Sequence, residues 1–165
     1  MIMNLQRLIA PSVLALAASA AFADDKEDWQ KRLDVYTTAF KKKDTKAMAA
    51  WAKANCDPTF KFIPLKAGPL GLDDWIKQES AMATAAEKTT VYEMHVDVAK
   101  ATNVYANAMT TNHFAAMTKM DGKVGLYKYD FSAVVQSSIK NGKRVITFLH
   151  IISGKKTFNG KTLPK

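Results

Sequence analysis

Apolar positions recur along this chain with two different periods, and the change from one to the other falls at Thr89. In residues 26–43, Trp29, Leu33, Tyr36 and Phe40 stand at i, i+4, i+7 and i+11, one face of an amphipathic helix. Lys41, Lys42 and Lys43 occupy its last turn, where cations suit the negative end of the helix dipole. Asp44 or Thr45 caps a shorter second helix, with Met48, Trp51 and Ala52 inward, Asn55 near its end and Pro58 at its exit. Residues 59–63 alternate as a short strand, ended by Pro64 and the turn-forming stretch 68–71. Asp73 is the expected N-cap of a third helix over residues 74–87, with Trp75, Met82 and Ala86 along one side.

After Thr89 the pattern alternates to residue 153. The first strand, 90–99, sets Tyr92, Met94, Val96 and Val98 on one face and Glu93, His95 and Asp97 on the other. A turn at residues 101–103 leads into a strand over 104–119, and Asp121-Gly122 predicts a tight hairpin into residues 123–139. Asn141-Gly142 predicts a second hairpin into 144–153, followed by a tail over 156–165 expected to be loose. The element order is therefore α-α-β-α-β-β-β-β. The fold class is α+β, with a curved antiparallel sheet wrapped against three helices from the N-terminal half. Strands of roughly 15 residues accumulate twist and coil, leaving a cavity between the concave face and the helices.

The residues ahead of the first helix read differently. Arg7 precedes an apolar run from Leu8 to Phe22, Ala21-Phe22-Ala23 fits the small-x-small cleavage rule, and Asp24-Asp25 ends the run. That is the three-part pattern of a secretory signal peptide over residues 1–23, with 18–20 as the lesser cleavage site. The run is shorter than the roughly 20 residues a membrane span needs, so no transmembrane anchor is expected after cleavage. The expectation is a periplasmic or secreted domain over 24–155 plus the tail.

Composition narrows the partners. The chain carries 24 Lys and Arg against 15 Asp and Glu, a net +9. Beyond the leader only Arg32 and Arg144 are arginine, and scattered lysine suits a solvated surface better than base readout or bidentate phosphate contacts. No nucleic-acid partner is expected. Cys56 is the one cysteine, so no intramolecular disulfide is possible, and either burial or pairing between chains accounts for it.

The element order resembles the nuclear transport factor 2-like superfamily, which includes SnoaL-like cyclases and ketosteroid isomerases. Its paired N-terminal helices resemble residues 29–55, its third helix 73–87 and its hairpin-rich sheet 89–153. Residues 141–146, Asn-Gly-Lys-Arg-Val-Ile, are similar to the Asp-Gly-Lys-Trp ending common in these domains, but lack the Trp, and of the His-x-His that often follows only His150 remains. The resemblance implies a conical fold with a pocket near the N-terminal helices, a homodimer in many members, and activities ranging from isomerase and dehydratase to binding or assembly without chemistry. The base that the isomerases place after the first strand has no counterpart at Ile63-Pro64-Leu65, whereas Tyr36 resembles the family's hydroxyl donor.

Among candidate site residues, Asp130 sits in mid-strand, where a buried carboxylate would need partners and a solvent-facing one would not. His113 and His150 lie in strands and are chemically fit for proton transfer, although a lone strand histidine is more often a packed residue. Glu93, His95 and Asp97 share one strand face, where three such residues seldom converge on one ion, so no metal and no cofactor is expected. The candidate ligand-binding set is Tyr36, Trp75, His113, Asp130 and His150, with Asp130, His150 and His113 as catalytic candidates. Three functions stay open: a cone holding a small apolar or amphipathic molecule, a SnoaL-like acid/base enzyme using Asp130 and a histidine, and a dimeric adaptor with a closed pocket.

Overall fold

The computed structural model describes the backbone of residues 10–101 and 105–163, and side chains from residue 26 onward apart from 98 and 101. The expected turn at 101–103 and the side chains of the expected leader lie outside the described residues. Among the described residues, helical backbone runs without a break from Ala10 into the expected first helix, α1 (Ala10–Lys41). Its periodic residues do what their spacing predicts: Trp29, Leu33, Tyr36 and Phe40 are all buried. The helix ends where Lys43 takes a positive φ of 56° and Asp44 N–H reaches back to the Ala39 carbonyl at 3.0 Å. Asp44 then caps α2 (Thr45–Asn55), its carboxylate accepting from Ala47 N–H at 2.9 Å.

After β1 (Cys56–Ile63), α3 (Leu72–Ala85) starts two residues earlier than expected, with Gly71 as its N-cap. Asp73 is thus no cap but a first-turn residue beside Asp74, where both carboxylates face the positive end of the helix dipole. Four long strands follow: β2 (Lys88–Ala101), β3 (Tyr105–Met120), β4 (Lys123–Lys140) and β5 (Lys143–Phe158). Both expected hairpins form, with positive φ at Asp121, Gly122, Asn141 and Gly142.

Two features depart from the sequence reading. The tail is not loose at its start: β5 runs on to Phe158, Asn159-Gly160 makes a third positive-φ turn, and β6 (Lys161–Thr162) pairs back onto β5. The sheet is also mixed, ordered β1-β5-β4-β3-β2, because β1 lies parallel to β5 while every other pair is antiparallel. Register shifts in β2 and across the β4–β5 pair bend these strands around the helices. Both sheet edges are managed. The Gln30 side chain accepts from Val96 N–H and donates to the Met94 carbonyl, standing in for a strand beside β2. On the other side, Leu70 bridges to Phe62 through a pair of backbone bonds of 2.8 and 2.9 Å.

Between helices and concave face the core is strongly aromatic. Phe40 and Phe60 are almost wholly enclosed, and Phe40 meets Tyr92 and Phe114 edge-on at 4.5 and 5.6 Å. Cys56 is buried here, and burial pushes its thiol up to about 12, so it is an unreactive packing residue. Among the described residues no helix is long and apolar enough to cross a membrane.

Candidate functional site

The core does not fill the cone. A cavity of about 150 Å³ remains between α1, α3 and the concave face of the sheet. All three tryptophans of the chain, Trp29, Trp51 and Trp75, line it. The expected pocket residues Tyr36 and Trp75 are both there, their rings stacked at 5.8 Å and 18°. Exposure of the lining locates the mouth: Gln78 and Lys156 are exposed, and Met82, Tyr127 and Tyr129 half-buried, whereas Tyr36, Trp75 and Tyr92 are sealed. The opening therefore lies between α3 and the β4–β5 strands.

One carboxylate reaches this cavity, and it is Glu79. Helical spacing puts it there, since Glu79 follows Trp75 by four residues and precedes Met82 by three. It is 8 % exposed. Tyr36 Oη donates to Glu79 Oε2 at 2.9 Å, and Tyr92 Oη makes a longer 3.5 Å contact to the same oxygen. Burial raises the Glu79 carboxyl to about 7, and the two hydroxyls, which favour the charged form, only partly oppose it. Burial also pushes both tyrosines well above their ordinary range, with the nearby Glu79 charge adding to the effect, so they stay protonated donors. The result is a carboxyl that takes up or releases a proton near neutrality inside an aromatic chamber. That is the charge behaviour that a general acid or base needs, and equally that of a switchable hydrogen-bonding group for a ligand.

The remaining sequence candidates are elsewhere. Tyr129 and Phe131 line the cavity, so Asp130 between them points to the outer face of the sheet, where it is 58 % exposed. His113, its cross-strand partner, is 45 % exposed and bonds it through Nδ1 to Oδ1 at 2.9 Å. His150 sits between inward-facing Leu149 and Ile151, beside Phe148 on the outer face. Asp130, His113 and His150 therefore do not line the pocket: strand alternation turns each of them outward. Glu93 and His95 are a loose outer-face pair at 3.5 Å, and among the described residues no group of three or more His, Cys, Asp or Glu is disposed to hold a metal ion.

No family model and no curated protein matches the chain. Solved structures do match in shape. A nuclear transport factor 2-like superfamily protein from Salmonella enterica aligns over 78 % of this chain and 90 % of its own, at 15 % identity and a TM-score of 0.57. A candidate dehydratase of the same family from Streptomyces avermitilis aligns over 79 % and 96 %, at 12 % identity and a TM-score of 0.59. A ketosteroid isomerase-like protein from Erwinia carotovora aligns over 74 % and 92 %, at 13 % identity and a TM-score of 0.53. The architecture is the nuclear transport factor 2-like cone.

Proposed function

We propose that this chain is a small-molecule-binding cone domain whose cavity encloses a mostly apolar, ring-sized molecule beside the buried carboxyl of Glu79. The observation that carries this reading is the cavity itself: an aromatic chamber with a single carboxyl set among tyrosine hydroxyls inside it. Ligand sites combine apolar walls with few convergent polar groups in this way. A dry cavity near 150 Å³ suffices for a molecule of benzene size, so the ligand is smaller than a steroid. The same open volume weighs against an adaptor with a filled cone. Native mass spectrometry of the gently purified chain tests the reading. A bound mass of one to two hundred daltons (the range that volume admits) supports it, and a persistently empty protein with no uptake of ring-sized probes refutes it.

A second reading, proton-transfer catalysis of isomerase or dehydratase type, is favoured by the near-neutral carboxyl of Glu79. It moves the acid/base role from Asp130 and a histidine to Glu79. The two readings part on whether a bound molecule is returned chemically changed, and on whether Glu79→Gln abolishes that change while retaining binding. We also infer export, on the strength of Arg7, the apolar run and Ala21-Phe22-Ala23. N-terminal sequencing of protein recovered from outside the cytoplasm tests this, with Asp24 as the expected first residue. A homodimer joined through the outer sheet face is proposed with it, to be tested by sedimentation.

A further inference from the structure

The cavity mouth carries a feature that its apolar walls do not require. Lys156, on β5, is the one cation among the lining residues, which otherwise titrate only through Tyr36 on α1, Cys56 on β1, Glu79 on α3, Tyr92 on β2, and Tyr127 and Tyr129 on β4. Its Nζ lies 4.9 Å from the centroid of the Tyr129 ring, and among the described residues no carboxylate pairs with it. An exposed cation over an aromatic face is weakly favoured there. The backbone is shaped for this arrangement: a Cβ at Gly154 would come 2.6 Å from Tyr129 Cε2 and 3.0 Å from its hydroxyl oxygen. Glycine there leaves the slot in which the Tyr129 ring lies, and the ring in turn seats Lys156.

We propose that the occupant of this cavity is a single-ring carboxylic acid, bound with its ring among Trp75 and Tyr36 and its carboxylate at Lys156 in the mouth. This rests on the reading of the cavity as a ligand site. The volume limits the body to about one ring. The walls are aromatic faces and edges, which pack best against another planar ring. One lysine, with no arginine fork beside it, matches a single negative charge better than a phosphate dianion. The charge belongs at the mouth because the interior holds Glu79, whose ionised form repels an anion.

Two probes of the same shape test the assignment: 4-methylbenzoate and 4-methylbenzyl alcohol. Each is titrated at pH 6, where Glu79 is mostly neutral, into the purified full chain. Calorimetry and tryptophan fluorescence follow binding, since every tryptophan lines the cavity. The expected result is a preference for the carboxylate of roughly three- to tenfold, the scale of a partly exposed ion pair. That preference is lost in Lys156→Met and retained in Lys156→Arg, while the alcohol binds all three proteins alike. Equal affinity for both probes in the wild type, or a preference that survives Lys156→Met, overturns the carboxylate assignment and leaves the cavity reading standing. Failure of both probes to bind the wild type overturns the cavity reading and the assignment together.

Discussion

Tyr36 Oη and Glu79 Oε2, 43 residues apart in sequence, meet at 2.9 Å inside the cone. This bond ties the first helix to the third beside the aromatic wall of the cavity. Its energetic sign follows from the proton. In the unfolded chain the Glu79 carboxyl titrates near 4.5, in the folded protein near 7. Between those values the folded state holds a proton that the unfolded state has lost, so raising the pH favours unfolding. The stability that this group withdraws accumulates from about pH 4.5 to about pH 7 and amounts to roughly 3 kcal/mol. Urea melts at pH 5 and pH 8 are expected to show the wild type losing stability toward pH 8, and Glu79→Gln losing correspondingly less. Equal pH slopes for the two proteins would contradict the buried-carboxyl account.

Removing the tyrosine hydroxyl isolates its part. The bond to Tyr36 favours the charged carboxylate and so opposes the effect of burial. In Tyr36→Phe the Glu79 titration therefore moves to higher pH than in the wild type. Infrared or carbon-13 detection of the carboxyl reads the shift directly. A stability cost of about 1–2 kcal/mol is expected at pH 8, where a charged acceptor has lost its donor, and a smaller one at pH 5.

At the other end of the molecule Asp57 behaves in the opposite sense. Lys140 Nζ lies 2.5 Å from Asp57 Oδ2, and Thr59 donates to Oδ1 from both its hydroxyl and its N–H. These bonds, led by that from Lys140, hold the carboxyl down to about 2. A lowered value contributes stability that is present above the unfolded value of 3.8 and lost as the pH falls through about 2. Lys140 is half exposed, so Lys140→Met costs only about 1 kcal/mol at neutral pH after screening. In acid titrations the gap between mutant and wild type closes as Asp57 takes up its proton.

Gly154→Ala places a methyl group against the Tyr129 ring at 2.6 Å. The ring must move, at an overpacking cost of about 1–3 kcal/mol. A lower melting temperature is expected together with weaker carboxylate binding, because Lys156 loses its seat.

Asp130 and His113 supply the contrasting case. Their bond spans two exposed side chains on the outer sheet face, where such pairs contribute about 1 kcal/mol or less. Asp130→Asn and His113→Ala are expected to change stability by no more than that and to leave ring-probe affinity unaltered, which calorimetry can check.

Much of this was legible before any coordinates. The helix containing Tyr36 announces itself by its spacing, and Asp121-Gly122 and Asn141-Gly142 mark their hairpins through backbone requirements that few residues meet. Glu79 is less legible, because the family resemblance points behind the first strand and the strand pattern points to Asp130, neither of them to the third helix. The face defined by Trp75, Met82 and Ala86 already contained it, and a charged residue on an apolar helical face was the available signal. Asp130 is the misleading case: a carboxylate within a strand is unusual only on the buried face, and the inward Tyr129 and Phe131 put it on the other. Continuation of β5 past Ser153 depended on Tyr129 packing over Gly154 and Phe158 over Gly125, contacts between strands that composition does not encode.

The parallel pairing of β1 with β5 has a consequence in time. Cys56 meets Ile146 and Ile63 meets His150, so apart from the local bridge at Leu70 the strand that follows the first two helices has no strand partner until nearly the whole chain has been made. Such distant pairing is slow, because loop-closure entropy is lost before any contact offsets it. Until then the aromatic face of α1 can close only against the earlier strands, Phe40 on Tyr92 of β2 and Phe114 of β3. The chamber around Glu79, walled in part by Leu149, Ile151 and Lys156, is complete only once β5 has closed over it.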